Sequence, residues 1–147
     1  MEPIRFQKLH PNAVLPQRAT PGSAGVDLVA CLQEPVQLQP GGRAMVPTGL
    51  AMALPTTEWV GLVYARSGLA VRHGITLSNC VGVIDSDYRG EIRVGLCNLG
   101  QEAYTIQPGE RIAQLVITPV LLPPVEQVDE LDSTERGIGG FGSTGKQ

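Results

Sequence analysis

Long hydrophobic runs are missing from this sequence. No apolar stretch approaches the ~20 residues that a spanning helix needs, so no membrane attachment is expected. The opening MEPIRFQKLH lacks the apolar h-region of a secretory signal, and the expected place of work is the cytoplasm. Cysteine is scarce: Cys31, Cys80 and Cys97 are an odd, widely spaced set. With only His10 and His73 to join them, they make neither a zinc pattern nor a disulfide framework. Buried, aliphatic-like thiols in a reducing compartment are the expectation. Basic charge is short as well, and a formal net charge of −3 argues against nucleic acid as a main partner. Aromatic residues reach only 4%, so a core must be built from Val, Leu, Ile and Ala.

Punctuation is abundant instead. Eighteen glycines and twelve prolines interrupt the chain too often for long helices. With 42% hydrophobic and 17% charged residues, the composition is that of an ordered chain long enough for one real core. Alternation with a period of two recurs, as half-buried strands require. Ile92, Val94 and Leu96 alternate with Glu91, Arg93 and Gly95. Ile4, Phe6 and Lys8 suggest an opening strand, and 59–64 reads WVGLVY. Residues 26–30, 43–46, 75–77, 80–84 and 111–118 are further candidates, separated by turn signals such as Pro40-Gly41-Gly42 and Pro108-Gly109. Many short strands with regular breaks indicate an all-β sandwich, barrel or jelly roll. One short helix fits over Gly68 to Arg72, capped by Ser67 and ended by Gly74.

Beyond Thr118 the character changes. Pro119, Pro123 and Pro124 stop the last strand, an acidic stretch follows, and the chain closes on RGIGGFGSTGKQ. The expected division is a β-rich core over 1–122 and a flexible arm with a glycine-rich lid over 123–147. Extended at ~3.3 Å per residue, roughly 25 residues reach tens of ångströms, enough to touch another subunit. The alternative is a disordered tail. Arg136 and Phe141 among the glycines weigh against it, because a spacer needs neither.

Four segments combine glycine, small hydroxyls and charge. In Ser23-Ala24-Gly25-Val26-Asp27 a carboxylate opens a strand, either as a turn residue or as a partner for an arginine. Ala65-Arg66-Ser67-Gly68 places a guanidinium, a hydroxyl and a glycine amide where the short helix begins. That is an anion seat or a simple cap with a surface arginine. From Asn79 through Gly82 to Gly90 a strand rises to Ile84, and a polar turn carries Asp85 and Asp87 before a second strand at Glu91. Such a hairpin can offer main-chain groups to a planar ligand, and Gly82 allows close approach. Ordinary turns also carry Asp, so both carboxylates cannot be presumed functional; Tyr88 either stacks on a ring or caps the core. Finally, GFGSTGK matches the phosphate-loop spacing, but no strand leads in and Gln147 stands where Ser or Thr belongs. This context argues against a Walker-type ATPase. Glycine amides with Ser143, Thr144 and Arg136 can still wrap phosphates.

Together, SAGVDL, ARSGLA, GVIDSDYRGEI, GERIAQLVI and RGIGGFGSTG resemble, in order, the five motifs of the trimeric dUTPases, across residues 23–145. The resemblance implies a jelly-roll β protomer with one short helix and an extended C-terminal arm, a homotrimer, and active sites shared between subunits. It implies hydrolysis of dUTP to dUMP and pyrophosphate with Mg²⁺, which supplies dUMP for thymidylate synthesis and keeps uracil out of DNA. By the same resemblance, main-chain groups near Asn79, Val83, Ile84 and Arg93 hold uracil, Gly82 leaves room for the base, and Tyr88 packs on the deoxyribose. Asp85 becomes the catalytic carboxylate that orients the attacking water. Arg66, Ser67, Gly68 and Gln114 bind phosphates and water from a neighbouring subunit. Asp27 holds metal-bound water or an arginine, Arg136 meets the γ-phosphate, and Phe141, Gly142 and Ser143 belong to the lid, with Phe141 stacked over uracil. A related dCTP deaminase is the nearest rival, but its catalytic Glu is replaced here by Gly95. A non-catalytic nucleotide-binding regulator is the other, and it has no need of Asp85, Arg136 and Phe141 together.

Overall fold

The computed structural model describes residues 2–141; Gly142 and Ser143 lie outside them. Eleven strands and one helix are found among these residues. The strands are β1 (Arg5–Lys8), β2 (Val26–Val29), β3 (Val36–Leu38), β4 (Arg43–Pro47), β5 (Leu50–Ala53) and β6 (Trp59–Ala65). After helix α1 (Ser67–His73) come β7 (Ile75–Leu77), β8 (Gly82–Ile84), β9 (Arg93–Asn98), β10 (Tyr104–Ile106) and β11 (Arg111–Pro119). All pairings are antiparallel. One sheet runs β2-β11-β6-β8 and another β4-β9-β7, with two-stranded pairs β1-β5 and β10-β3 beside them. The result is an all-β jelly roll, one of the architectures that the spacing of short strands left open and the one that the resemblance implies.

Period-two patterning positions the core. Along β9, Val94, Leu96 and Asn98 point inward while Arg93, Gly95 and Cys97 do not. Leu28, Leu50, Ile75, Ile106, Ile112 and Leu115 complete an aliphatic interior, consistent with the shortage of aromatics. Asn98 is fully buried, and its side chain is satisfied: Nδ2 donates to the Leu38 and Glu102 carbonyls at 3.0 and 2.8 Å, and Oδ1 accepts from Gly100 N at 2.8 Å. A buried amide without those partners would cost about 1–3 kcal/mol.

Several sequence expectations need correction. Residues 79–90 do not form a hairpin. β8 pairs with β6, in register Gly61↔Ile84 to Val63↔Gly82, whereas β9 lies between β4 and β7. The segment after Ile84 therefore crosses from one sheet to the other, and the second strand begins at Arg93 rather than Glu91. Cys80 is not in a strand; it sits at φ 62°. None of the three cysteines is buried: Cys80 is exposed and the other two are half-buried, because Cys97 falls on the outward phase of β9 and Cys80 on a turn. Arg66, not Ser67, occupies the cap position of α1, with no side-chain cap hydrogen bond. Gly74 does end the helix, at φ 70°, and a Cβ there would lie 2.7 Å from Gly100 Cα. Both facts require glycine.

Residues 120–141 contain no strand or helix. Among the described residues no helix is long and apolar enough to cross a membrane.

Candidate functional site

The crossing after Ile84 opens a cleft between the two main sheets. Gly82, Val83 and Ile84 form one wall, Arg93, Val94 and Gly95 the other, and Asn79, Asp85 and Tyr88 stand with them in a cavity of about 390 Å³. That volume suits a small planar ligand with a sugar attached. Glycine at 82 relieves a tight contact, since a Cβ would sit 3.1 Å from Val63 Cβ. At 95 a Cβ would make ordinary contacts with Ser78 Oγ and Met45 Cε at 3.5 and 3.7 Å. A β-carbon therefore meets no clash at that position.

The two turn carboxylates separate here. Asp85 lines the cleft and Asp87 does not. Tyr88 also faces the cleft; 45% exposed, it is no core cap. Its hydroxyl donates to the Glu91 carbonyl at 3.0 Å. Arg89 braces the turn by donating to the Ser86 and Tyr88 carbonyls at 2.8 and 3.0 Å.

A second cleft, about 400 Å³, gathers Arg66, Ser67, Gly68, Asp27 and Gln114 with Arg111. Asp27 is the hub. One carboxylate oxygen accepts from Arg66 Nε at 3.0 Å and the other from Arg111 at 3.1 Å. Of the two roles open to Asp27, the arginine partner is the one this geometry exhibits. One carboxylate against two guanidiniums leaves the cleft cationic, which suits phosphate oxygens. Gln114 is oriented by donating to the Ala65 carbonyl at 2.9 Å, and a Cβ on Gly25 would lie 2.7 Å from its Oε1.

The two clefts share no lining residue. Among the described residues, none beyond 119 lines either cleft. Arg136 Nε donates to the Gly139 carbonyl at 2.8 Å, and Phe141 is fully exposed at φ 52°. Sequence reasoning missed Arg111, Met45, Val63, Leu77 and Glu91 as cleft residues. Arg111 had one signal, its place three residues before Gln114 in the same segment.

No group of three or more His, Cys, Asp or Glu able to hold a metal occurs among the described residues. With both Asp27 oxygens engaged, this donor set fits an ion carried on ligand phosphates and water, not a protein cage.

Comparison with known proteins follows the same lines. A family model described as dUTPase matches residues 11–145. The deoxyuridine 5'-triphosphate nucleotidohydrolase of Acinetobacter baylyi is 49% identical over 144 residues, covering 98% of this chain and 96% of that one. Among solved structures, the dUTPase of Staphylococcus bacteriophage 80alpha, determined with dUPNHPP, superposes with a TM-score of 0.87 at 30% identity. It covers 99% of this chain and 100% of its own. A mutant dUTPase from phage phi11 of S. aureus, described with a coordinated structural Mg(II) ion, gives 0.78 at 27% identity, covering 88% and 98%. With the family model spanning nearly all of the sequence and a relative identical at about half of its positions, the chain belongs to the dUTPase family.

Proposed function

We propose that this protein hydrolyses dUTP to dUMP and pyrophosphate. The observation that carries the reading is the cleft between the sheets, with Asp85 and Tyr88 at its edge, in a chain matched to the dUTPase family. Uracil enters against the main chain of Val83 and Ile84, with Asn79 and Arg93 on either side. Gly82 keeps that wall low, and the narrow fit rejects a 5-methyl group. Tyr88 packs on the deoxyribose and disfavours a 2′-hydroxyl.

Asp85 holds a water in line with the α-phosphorus. The water oxygen bonds to phosphorus, the bridging bond to the β-phosphate breaks, and pyrophosphate leaves. Asp85 accepts the water's proton and returns it to solvent. Carboxylates are weak bases, so positioning supplies most of the effect. Arg66, Ser67, Gly68 and Gln114 bind phosphates. Because these residues and Asp85 line different clefts of one protomer, the reading joins them across a subunit boundary in a homotrimer. Mg²⁺ would be held by the substrate phosphates and water and would supply charge neutralisation there. Arg136, with Phe141, Gly142 and Ser143, belongs to an arm from residue 123 onward that closes over substrate and excludes water. The working compartment is the cytoplasm.

A nucleotide panel tests this. With Mg²⁺, purified protein should release pyrophosphate from dUTP and barely from dCTP, dTTP or UTP. Comparable turnover of dTTP would refute the proposed base filter, and ammonia from dCTP would point to deamination.

A further inference from the structure

Gly90 needs no glycine for its backbone. Its φ is outside the left-handed region occupied by Gly41, Gly49, Gly74, Gly109 and Gly137, so an alanine could follow the same chain path. What it lacks room for is a Cβ. That atom would meet the Tyr88 hydroxyl and stand 2.6 Å from Tyr88 Cζ and 3.0 Å from Cε2, closer than side chains pack. The Tyr88 ring folds back across the bare Cα two residues ahead and reaches the Glu91 carbonyl beyond it at 3.0 Å. Nearly half exposed, the ring has little else to fix its angle. Arg89, between the two, braces the turn backbone and not the ring.

We infer that Gly90 is a positioning residue for substrate selection: its bare Cα is the seat that holds the Tyr88 ring at the cleft wall. Any side chain at 90 lifts the ring toward the cleft mouth. Two side-chain torsions absorb that movement, so the cost falls on substrate handling and hardly on the fold. The inference rests on Tyr88 facing the sugar, as proposed above.

Gly90→Ala, Tyr88→Ala and the double variant test it. Gly90→Ala should raise KM for dUTP about ten-fold and narrow the preference for dUTP over UTP. Its melting temperature should stay within about 2 °C of the parent. In the Tyr88→Ala background the same change should add nothing, because no ring remains to displace. Parent-like KM and discrimination in Gly90→Ala, or an undiminished penalty in the double variant, would overturn the inference. A second readout is independent of turnover. The contact of the Tyr88 hydroxyl with the Glu91 carbonyl, 3.0 Å in the parent, should be broken in a crystal structure of Gly90→Ala. If the parent protein leaves dUTP intact, the proposed function fails by itself and this contact decides the seat. Its persistence in the variant contradicts the inference, and its loss supports it.

Discussion

Asp27 lies within β2 and Asp85 directly follows β8, and their surroundings give the two carboxylates different work. Asp27 is consumed by two guanidiniums, whereas Asp85 stands exposed at a cleft sized for a nucleoside. Asp85→Asn keeps the shape and removes the charge. It should lower kcat for dUTP by about 10²–10⁴ while dUPNHPP still binds, as calorimetry would record. A kcat near that of the parent would remove Asp85 from its role. Part of this was legible beforehand: an Asp in a glycine-bounded turn, and an Asp fit to pair with an arginine. Which arginines it pairs with was only half legible. Strict alternation along β11 puts Arg111 and Gln114 on opposite faces. The register shift between Arg111 and Ala113 turns Arg111 to the Asp27 side, and a bulge of this kind leaves no mark in a hydrophobic pattern.

Among the elements, alternation located β2, β4, β6, β9 and β11 to within a residue or two. β3 and β10 are three residues each, too short to show a period. β5 reads Leu-Ala-Met-Ala and is buried on nearly every residue; a continuous apolar run has no phase to read, and alanine does not signal strand. The hairpin reading of 79–90 failed because adjacent strands joined by a polar turn need not pair. Which sheet each joins depends on long-range partners. β10 and the start of β11 are tied by the Tyr104 hydroxyl, which donates to the Glu110 carboxylate. Burial, then that bond and the nearby negative charge, push the Tyr104 pKa up to about 12 from 10.0. The folded state thus holds the phenolic proton more tightly than the unfolded state does. The contribution of Tyr104 to stability is fully present below pH 10 and is lost as pH rises from 10 toward about 12. Denaturant titrations across that window should show a fall that is shallower in Tyr104→Phe; equal slopes would contradict the link.

At the scale of the whole molecule, the described residues beyond 119 keep several apolar side chains in water. Leu121, Val125, Leu131 and Phe141 are 85–114% exposed, although isolated chains gain nothing from apolar residues held in water. Under the proposed function, an arm laid over a neighbouring protomer would cover them, and a site shared between protomers would join two clefts that have no lining residue in common. Removing residues 136–147 should leave the trimeric mass in light scattering but reduce kcat/KM for dUTP by about 10² or more. Dissociation instead would make the arm structural first. Mixing is a sharper test of shared sites. Trimers reassembled from Asp85→Asn and Arg66→Ala protomers should regain activity that neither variant has alone, since some sites then combine two intact residues. No recovery would place both residues in one protomer's site. The arm's composition was readable in the sequence; its destination was not, because that depends on surfaces of another copy. The central claim, water attacking the α-phosphorus of dUTP, is tested most directly by turnover in ¹⁸O-labelled water with mass analysis of the products. The label should appear in dUMP and not in pyrophosphate. Label in pyrophosphate, or dUTP left unchanged, would contradict the account.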